Sequence, residues 1–190
     1  MKIISAPHPT LRKVASPVEK FDKRLLKLLE RLKKQLLLEK DPEGVGLAAP
    51  QVNKSWQIFV MKKFGRSKQK EEKSIIRAFI NPQIIDHSPK KTLLEENEHF
   101  EGCLSVPKIY GPVPRWEWLK VQYQTVNDQG QVEVKKEKYS GFLARVIQHE
   151  YDHLQGILFT DYLLDNDLPA YTTENDKWVE IENRQILESF

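Results

Sequence analysis

Two histidines four residues apart, with a glutamate between them, occur in the stretch Q-H-E-Y-D-H at residues 148–153. If this stretch is helical, the side chains of His149 and His153 project from one face, one turn apart, and can bind one divalent ion. Glu150 lies beside that face, where a carboxylate can act as general base toward a water that the ion activates. The pentapeptide H-E-x-x-H also occurs by chance, so this spacing alone leaves a metal site and an ordinary helix both open.

A catalytic metal site usually has three protein ligands and one open position, so a third ligand is needed. If residues 99–105 are extended, His99 and Cys103 share one face of the strand, and either could supply that ligand by spacing alone. A thiolate neutralises part of the charge of the ion and binds it tightly, which favours Cys103. A lone cysteine is otherwise more often a small buried hydrophobe. His8 and His87 lie in segments that contain proline nearby and are expected to be surface residues.

A third stretch, G-V-G-L-A-A-P-Q at residues 44–51, places two glycines close together. Glycines of this kind allow a backbone to approach a ligand closely, although a tight turn packed by alanines is the simpler interpretation. The stretch lacks the lysine and the spacing of a phosphate-binding P-loop. Gln51 carries an amide that can donate a hydrogen bond to a developing oxyanion.

The surrounding pattern predicts the elements that position these residues. Leucines at helical spacing predict an amphipathic helix over residues 22–39, and a second helix is expected over 140–154, capped by Ser140 and ended by Gly156. Strands are predicted at 56–63, 74–82 and 157–164, with a hairpin over 117–139 and a polar excursion at 62–73. This order of elements predicts an α+β fold with mostly antiparallel strands.

Composition restricts the classes of protein that the chain can belong to. With 190 residues, 39% hydrophobic and 30% charged, it suits one compact soluble domain. It has no apolar run long enough to cross a bilayer and no secretory h-region. A single cysteine fits the reducing cytoplasm. The net charge of +3 does not argue for a specific nucleic acid partner, although the basic stretch 20–40 leaves a weak contact with an anionic partner such as the ribosome open.

The three stretches together resemble the motifs of the peptide deformylase family. They are G-V-G-L-A-A-P-Q, E-G-C-L-S and Q-H-E-Y-D-H, which occur in the family's order and at plausible separations. The segments P-H-P-T-L-R-K-V-A, I-N-P, V-P-R and G-I-L-F-T-D-Y-L also resemble family segments, so the likeness covers roughly residues 3–164. A lone H-E-x-x-H is weak evidence, whereas the three motifs together are highly specific.

The resemblance implies an enzyme that removes the N-formyl group from the initiator methionine of nascent chains and releases formate. It implies that Cys103, His149 and His153 hold one divalent ion, usually Fe²⁺, although Zn²⁺, Ni²⁺ or Co²⁺ can occupy such a site in a purified sample. Glu150 would be the acid–base residue. Gln51 and the backbone N–H of Leu104 would stabilise the oxyanion.

Further residues take supporting roles by the same resemblance. Glu101 would pair with Arg115 as a brace behind the cysteine strand. The methionine side chain would lie among Val45, Phe142, Val146 and the ring of His149. The peptide backbone would pair as an added strand with residues around Gly46 and the segment Tyr110–Gly111.

The fold implied by the family is a set of antiparallel sheets wrapped around a central helix that carries the H-E-x-x-H motif, together with the N-terminal amphipathic helix. A single catalytic domain is expected over residues 1–164, followed by an acidic, polar C-terminal extension over 165–190. Some family members end in a long basic helix that docks on the ribosome. The acidic extension departs from that pattern, which puts this mode of docking in doubt.

Other classes of protein share part of these features. A zinc endopeptidase also uses H-E-x-x-H, but it usually draws its third ligand from a His or Glu further along, and no histidine follows His153. A non-catalytic module that recognises formylated chain ends would not need an intact general base. A structural zinc site normally has four protein ligands, and the sequence supplies no fourth candidate in a motif.

Overall fold

The computed structural model describes residues 1–40, 43–63, 75–93, 100–127, 129–175 and 177–190. His99 and the polar excursion predicted at 62–73, except its first two residues, lie outside this described part. The helices are α1 Lys23–Leu38, α2 Gly141–Gln155, α3 Phe159–Asp165 and α4 Gln185–Glu188. The strands are β1 Gly46–Ala48, β2 Ile58–Lys63, β3 Ile75–His87, β4 Lys91–Thr92, β5 Glu101–Cys103, β6 Val106–Gly111, β7 Arg115–Trp116, β8 Trp118–Val126, β9 Val132–Ser140, β10 Tyr171–Glu174 and β11 Lys177–Glu180.

Antiparallel sheets form the framework of the molecule. One sheet has five strands in the order β1-β2-β3-β8-β9, a second has four in the order β11-β10-β6-β5, and β4 pairs with β7. Every pairing between these strands is antiparallel. Strands β1 and β5 therefore lie at the edges of their sheets, where a backbone can accept a further strand. The predicted α+β class with antiparallel sheets is confirmed.

Helix α1 corresponds to the amphipathic helix predicted over 22–39. The side chain of Asp22 caps its N-terminus by accepting hydrogen bonds from the backbone N–H groups of Arg24 and Leu25 at 2.8 and 3.1 Å. The leucines of one face are buried in a core cluster with residues of β1 and β2. They are Leu25, Leu28, Leu29, Leu32 and Leu36.

Helix α2 carries the H-E-x-x-H motif on one face and core residues on another. Ala144, Ile147 and Leu154 pack in a core cluster with residues of the five-stranded sheet. Gly156 ends the helix with φ at 73°, a left-handed conformation that favours glycine. Ser140 occupies the capping position, but its side chain makes no capping hydrogen bond. The sheet therefore fixes the orientation of α2 and so of its two histidines.

The strand predicted at 157–164 is wrong, because this segment forms helix α3. A largely apolar segment of eight residues fits a buried strand and a short helix equally well, so its hydrophobicity could not decide between them. Asp161 decides it locally, since its carboxylate accepts a hydrogen bond from the backbone N–H of Leu158 at 2.9 Å. Phe159 and Leu163, four positions apart, are then buried on one face of the helix.

The C-terminal extension folds back onto the molecule. Strands β10 and β11 form a hairpin, and β10 pairs with β6 through Tyr171 and Tyr110. Ala170 and Leu187 are buried in the same core cluster as Cys103. The extension is thus polar in sequence but partly packed, and it adds two strands to the sheet that contains Cys103. Within the described part of the chain, no helix has the length and apolar character needed to span a membrane.

Candidate metal centre

Three side chains from two separate regions of the chain converge on one point. The Sγ atom of Cys103 and one ring nitrogen each of His149 and His153 all lie within 4.8 Å of one another. The Sγ atom of Cys103 and Nε2 of His153 are 3.2 Å apart. Cys103 comes from β5 and the two histidines come from α2. The four-residue spacing on the helix thus brings both imidazoles to the edge strand that carries the thiol.

The donor set fits a divalent ion. Ligand atoms around a tetrahedral ion with bonds of about 2.0–2.3 Å lie about 3.3–3.8 Å apart, and the 3.2 Å between the Cys103 sulfur and Nε2 of His153 is close to this range. Cys103 and His153 are buried, with 8% and 1% of their surfaces exposed. The backbone N–H of Ser105 and the Nε2 group of Gln51 both point to the sulfur, at 3.4 and 3.5 Å. One sulfur and two imidazole nitrogens, without a fourth protein ligand in the described residues, match a catalytic site.

Glu101 and Arg115 hold His149 in place. Oε1 of Glu101 lies 2.7 Å from Nδ1 of His149, so the Nε2 atom of this ring is the one left for a metal. Arg115 binds both oxygens of Glu101, at 2.5 and 3.1 Å, and also binds Oδ2 of Asp152 at 2.5 Å. Burial alone would raise the pKa of Glu101, but the charge of Arg115 and the hydrogen bond with His149 hold this pKa well below its usual range. The carboxylate is therefore fixed in its charged form behind the imidazole.

Replacing Arg115 by methionine is expected to lower the free energy of unfolding by about 3–5 kcal/mol, because two carboxylates then stay buried without their cation. Only 2% of the Arg115 side chain is exposed. The measurement is urea unfolding of the variant and the parent protein. Lys120→Met is the matched control, since it breaks an ion pair with Asp86 in which both side chains are about half exposed. That exposed pair should contribute about 0–1 kcal/mol, and an equally small loss for Arg115→Met would contradict the prediction.

Glu150 lies against the backbone of β1. A Cβ atom added to Gly46 would be 2.3 Å from Oε1 of Glu150, so only glycine permits this close approach. Glu150 is buried, and among the described residues its Oε2 atom has no hydrogen-bond partner. Burial raises the pKa of Glu150 to about 7. This carboxyl group is one residue from His149 and opens toward the same cavity as Cys103.

The side chain of Gln51 is oriented by the backbone. Its Oε1 accepts a hydrogen bond from the backbone N–H of Ala48 at 2.8 Å. Because only the oxygen of the side-chain amide can accept this bond, the oxygen must face Ala48. The amide N–H₂ must then face Cys103 and the hydroxyl of Ser105, 3.5 and 3.3 Å away. Leu104 follows Cys103 directly and lines the same cavity. The amide of Gln51 therefore lies beside the sulfur of Cys103, and Leu104 lines the cavity next to it.

A cavity of about 280 Å³ opens onto this centre. Its walls include almost all the side chains and glycines expected to contact the substrate. They are Val45, Gly46, Tyr110, Phe142 and Val146, together with Cys103, Leu104, Gln51, Glu101, His149 and Glu150. Arg115 and His153 lie behind the wall. A single cavity thus joins the candidate catalytic groups with an apolar surface.

Gly111 is placed differently from the expectation. It does not line the cavity, and a Cβ added there would meet Leu163 at 2.7 Å. Strand β6 is paired on one side with β5 through Gly111 and Tyr110, and on the other with β10 through Tyr110. Since both edges of β6 are occupied at this point, an added peptide strand cannot pair there. Among the described residues, the sheet edges next to the cavity are those of β1 and β5, and Gly102 rather than Gly111 lies on the edge of β5.

Sequence reasoning missed several residues of the site. Phe100, Gly102 and Arg145 line the cavity, and Asp152 completes the contacts of Arg115. The position of Asp152 was predictable from the sequence, because a residue three positions after His149 on a helix lies on nearly the same face. Phe100 stands between His99 and Glu101 in the strand considered for ligands. Nothing in the sequence marked Arg145 as a residue of the cavity, since an arginine on a helix is usually solvated.

Comparison with known proteins gives one consistent result. Residues 1–168 match the polypeptide deformylase family. The peptide deformylase of Desulfotalea psychrophila is 34% identical over 178 residues, which cover 94% of this chain and 96% of that protein. The peptide deformylase of Thermotoga maritima is 42% identical over 153 residues, which cover 80% of each protein.

Solved structures agree with this result. The crystal structure of a probable peptide deformylase from Synechococcus phage S-SSM7 aligns with a TM-score of 0.72 at 35% identity, covering 85% of this chain and 99% of that one. A peptide deformylase from Acinetobacter baumannii, solved with Met-Ala-Ser bound, aligns with a TM-score of 0.70 at 31% identity, covering 85% and 97%. The family match contains Cys103, His149 and His153 and ends before the C-terminal hairpin.

Proposed function

This chain belongs to the peptide deformylase family, and we propose that Cys103, His149 and His153 hold the catalytic ion of this metallohydrolase while Glu150 and Gln51 act on the substrate. The enzyme removes the N-formyl group from the N-terminal methionine of newly synthesised proteins and releases formate. The convergence of one sulfur and two imidazole nitrogens within 4.8 Å is the observation that carries the proposed site.

The ion that we propose is ferrous iron, and Zn²⁺, Ni²⁺ or Co²⁺ would also suit one thiolate and two imidazoles in a purified sample. When bound, the ion supplies a Lewis acid that polarises the formyl group and lowers the pKa of water. Glu101 accepts a hydrogen bond from Nδ1–H of His149 and so holds the ring in the tautomer whose unprotonated Nε2 can bind a metal ion. Arg115 holds Glu101 in turn, so the residues behind the centre fix its geometry before substrate arrives.

Glu150 is the proposed acid and base. One of its carboxylate oxygens takes the proton of the attacking water and returns it to the nitrogen of the departing amine. Gly46 is the neighbour that allows this carboxylate to approach the edge of β1. A peptide bound to that edge would bring its formylated end close to Glu150, so the same contact positions both the substrate and the proton carrier.

Gln51 and Leu104 are the proposed donors to the formyl oxygen. The Nε2 group of Gln51 is held toward the centre by the bond that Ala48 makes to Oε1. Leu104 stands in the turn between β5 and β6, directly after Cys103, and its backbone N–H is the second proposed donor. Donors that are already in place need no reorganisation when negative charge develops on the oxygen.

Replacing Gln51 by alanine is expected to lower kcat by about 10²–10³-fold, because one oxyanion donor is lost. The metal content of the variant should stay at the level of the parent protein, because the three donors remain. Gln57→Ala is a matched control, since that amide donates to the carbonyl of Ala15 and does not line the cavity. Full activity of Gln51→Ala would contradict the proposed role.

Substrate would bind as an extended chain along the cavity. We propose that the methionine side chain lies among Val45, Phe142 and Val146 and against the ring of His149, which together form an apolar wall. The peptide backbone would pair with the edges of β1 at Gly46 and β5 at Gly102. The Acinetobacter baumannii relative, which binds Met-Ala-Ser, supports a peptide of this kind as ligand.

The cellular setting is also part of the proposal. The cysteine is a free thiol, which suits the reducing cytoplasm where nascent chains are made. A weak contact with the ribosome through the basic residues of α1 stays a prediction. Residues 1–164 would form the catalytic domain, with 165–190 as an extension that completes the β5–β6 sheet.

The activity is tested by following formate release from formyl-Met-Ala-Ser with protein purified without oxygen. Formate and Met-Ala-Ser should appear in equal amounts, and casein should not be cleaved internally. Internal cleavage of casein without formate release would instead identify a zinc endopeptidase. Metal content is measured on the same sample, so that an inactive preparation without metal is recognised.

A further inference from the structure

The C-terminal hairpin packs an aromatic side chain against two residues that line the cavity. The ring of Trp178 on β11 lies edge-on against Phe100 and Tyr110, with ring centroids 5.3 and 5.1 Å apart. Tyr171 on β10 stacks on Phe100 with centroids 4.5 Å apart. Phe100 and Tyr110 both line the cavity. The hairpin, which follows the range that matches the family, thus supports one wall of the site.

The strand register shows which residues of this hairpin project from each of its two faces. Trp178 is opposite Thr173, and Tyr171 is opposite Glu180, so these four residues project from the face that contacts Phe100. Val179 projects from the other face. The exposed fractions of Trp178 and Val179 are nearly equal, 36% and 37%, so only the face distinguishes the two positions.

The wall continues from the hairpin to the catalytic centre. The ring of Tyr110 lies so close to Gly102 that a Cβ added there would be 2.6 Å from Cδ1 of the ring. Gly102 precedes Cys103 directly and lies on the free edge of β5. A peptide paired with β5 would therefore run along Phe100 and Tyr110, and the partly exposed ring of Trp178 extends this surface outward from them. We name these three rings the aromatic rim.

The aromatic rim is separate from the surface proposed for methionine. That surface comes from the segment before β1 and from α2, whereas the rim comes from β5, β6 and the hairpin. One peptide side chain cannot occupy both walls, so the rim is available to a later residue of the substrate. Aromatic rings that are partly exposed and held by other rings favour contact with apolar and aromatic side chains.

We propose that the aromatic rim is a substrate subsite that selects apolar side chains, above all aromatic ones, at the second or third residue of the formylated peptide. The inference rests on the proposed deformylase activity and assigns Trp178 as a specificity-determining residue. Glu180 projects from the same face of β11 and would disfavour an acidic side chain at this position.

The test measures kcat and KM separately for formyl-Met peptides that carry Phe, Ala or Asp at the second or third position. The parent protein should prefer Phe over Ala and Ala over Asp at one of these positions. Trp178→Ala should reduce the preference for Phe over Ala by roughly three- to tenfold, mainly through KM for the Phe peptide. Trp178→Phe should keep most of the preference, and Val179→Ala should keep all of it.

The outcomes are distinguishable. Equal loss for the Phe and Ala peptides in Trp178→Ala would show a merely structural hairpin and overturn the subsite, as would a parent protein without preference at either position. Loss of preference in Trp178→Ala with rescue in Trp178→Phe supports it. A metal-loaded parent protein that releases no formate from any peptide would overturn the deformylase activity itself, and the subsite with it.

Discussion

Glu150→Gln is expected to bind its metal ion like the parent protein and to lower kcat by about 10²–10⁴-fold, the usual contribution of a positioned proton carrier. The substitution keeps the size of the side chain, and only 3% of Glu150 is exposed, so the amide should occupy the same place. It replaces the basic carboxylate by an amide, which does not take up the proton of water. Steady-state formate release and metal analysis of one sample give both quantities.

Two controls make this result specific. Glu133→Gln changes a carboxylate on the exposed hairpin of β8 and β9, paired with Lys135, and should leave kcat unchanged. Unfolding midpoints of both variants show whether the fold is retained. If Glu150→Gln lost only about a factor of three in activity, the loss would be far smaller than removal of a general base causes. Another group would then carry the proton.

Cys103→Ala is expected to lose the ion and, with it, deformylase activity. The sulfur is the one donor that carries negative charge in the proposed centre, and two N–H groups point toward it. Loss of a residue that only supports a ligand typically weakens metal affinity by about 10–100-fold, so loss of the ligand itself should exceed that range. Metal content after dialysis against a weak chelator measures the change.

His87→Ala is the control for this experiment, because that imidazole stacks on Trp116 and is not among the three grouped donors. It should retain one ion per chain. Retention of tightly bound metal by Cys103→Ala, at the level of His87→Ala, would remove the sulfur from the proposed centre. Circular dichroism of the metal-free parent protein and of the variant distinguishes metal loss from unfolding.

The sequence alone was sufficient where a pattern is local and periodic. The spacing of His149 and His153 and the glycine at 156 predicted helix α2 and the face it presents, because the helical period determines which residues are neighbours. The mixed fold with antiparallel sheets followed from the order of elements and from the hairpin over 117–139. The choice of Cys103 over His99 could not come from spacing, and it depended on thiolate chemistry and the family resemblance.

Other features depend on contacts between distant parts of the chain, which periodicity does not report. The segment at 157–164 is helical because Asp161 caps it, and Asp161 also binds Arg12 from the N-terminal region. The hairpin around Trp178 is mostly polar and contains three acidic residues, so its sequence alone is typical of a solvated tail, and only the pairing of β10 with β6 shows that it packs. The occupied edges of β6, which move the expected pairing away from Gly111, likewise follow only from the strand order.

The most direct test of the central claim is X-ray absorption at the metal edge of the iron-loaded or zinc-loaded protein. The account predicts one ion per chain, bound by one sulfur and two imidazole nitrogens, with the remaining ligands light atoms from solvent. It predicts the loss of the sulfur signal in any Cys103→Ala protein that still binds metal. An ion without a sulfur ligand, or one bound by four protein side chains, would contradict it.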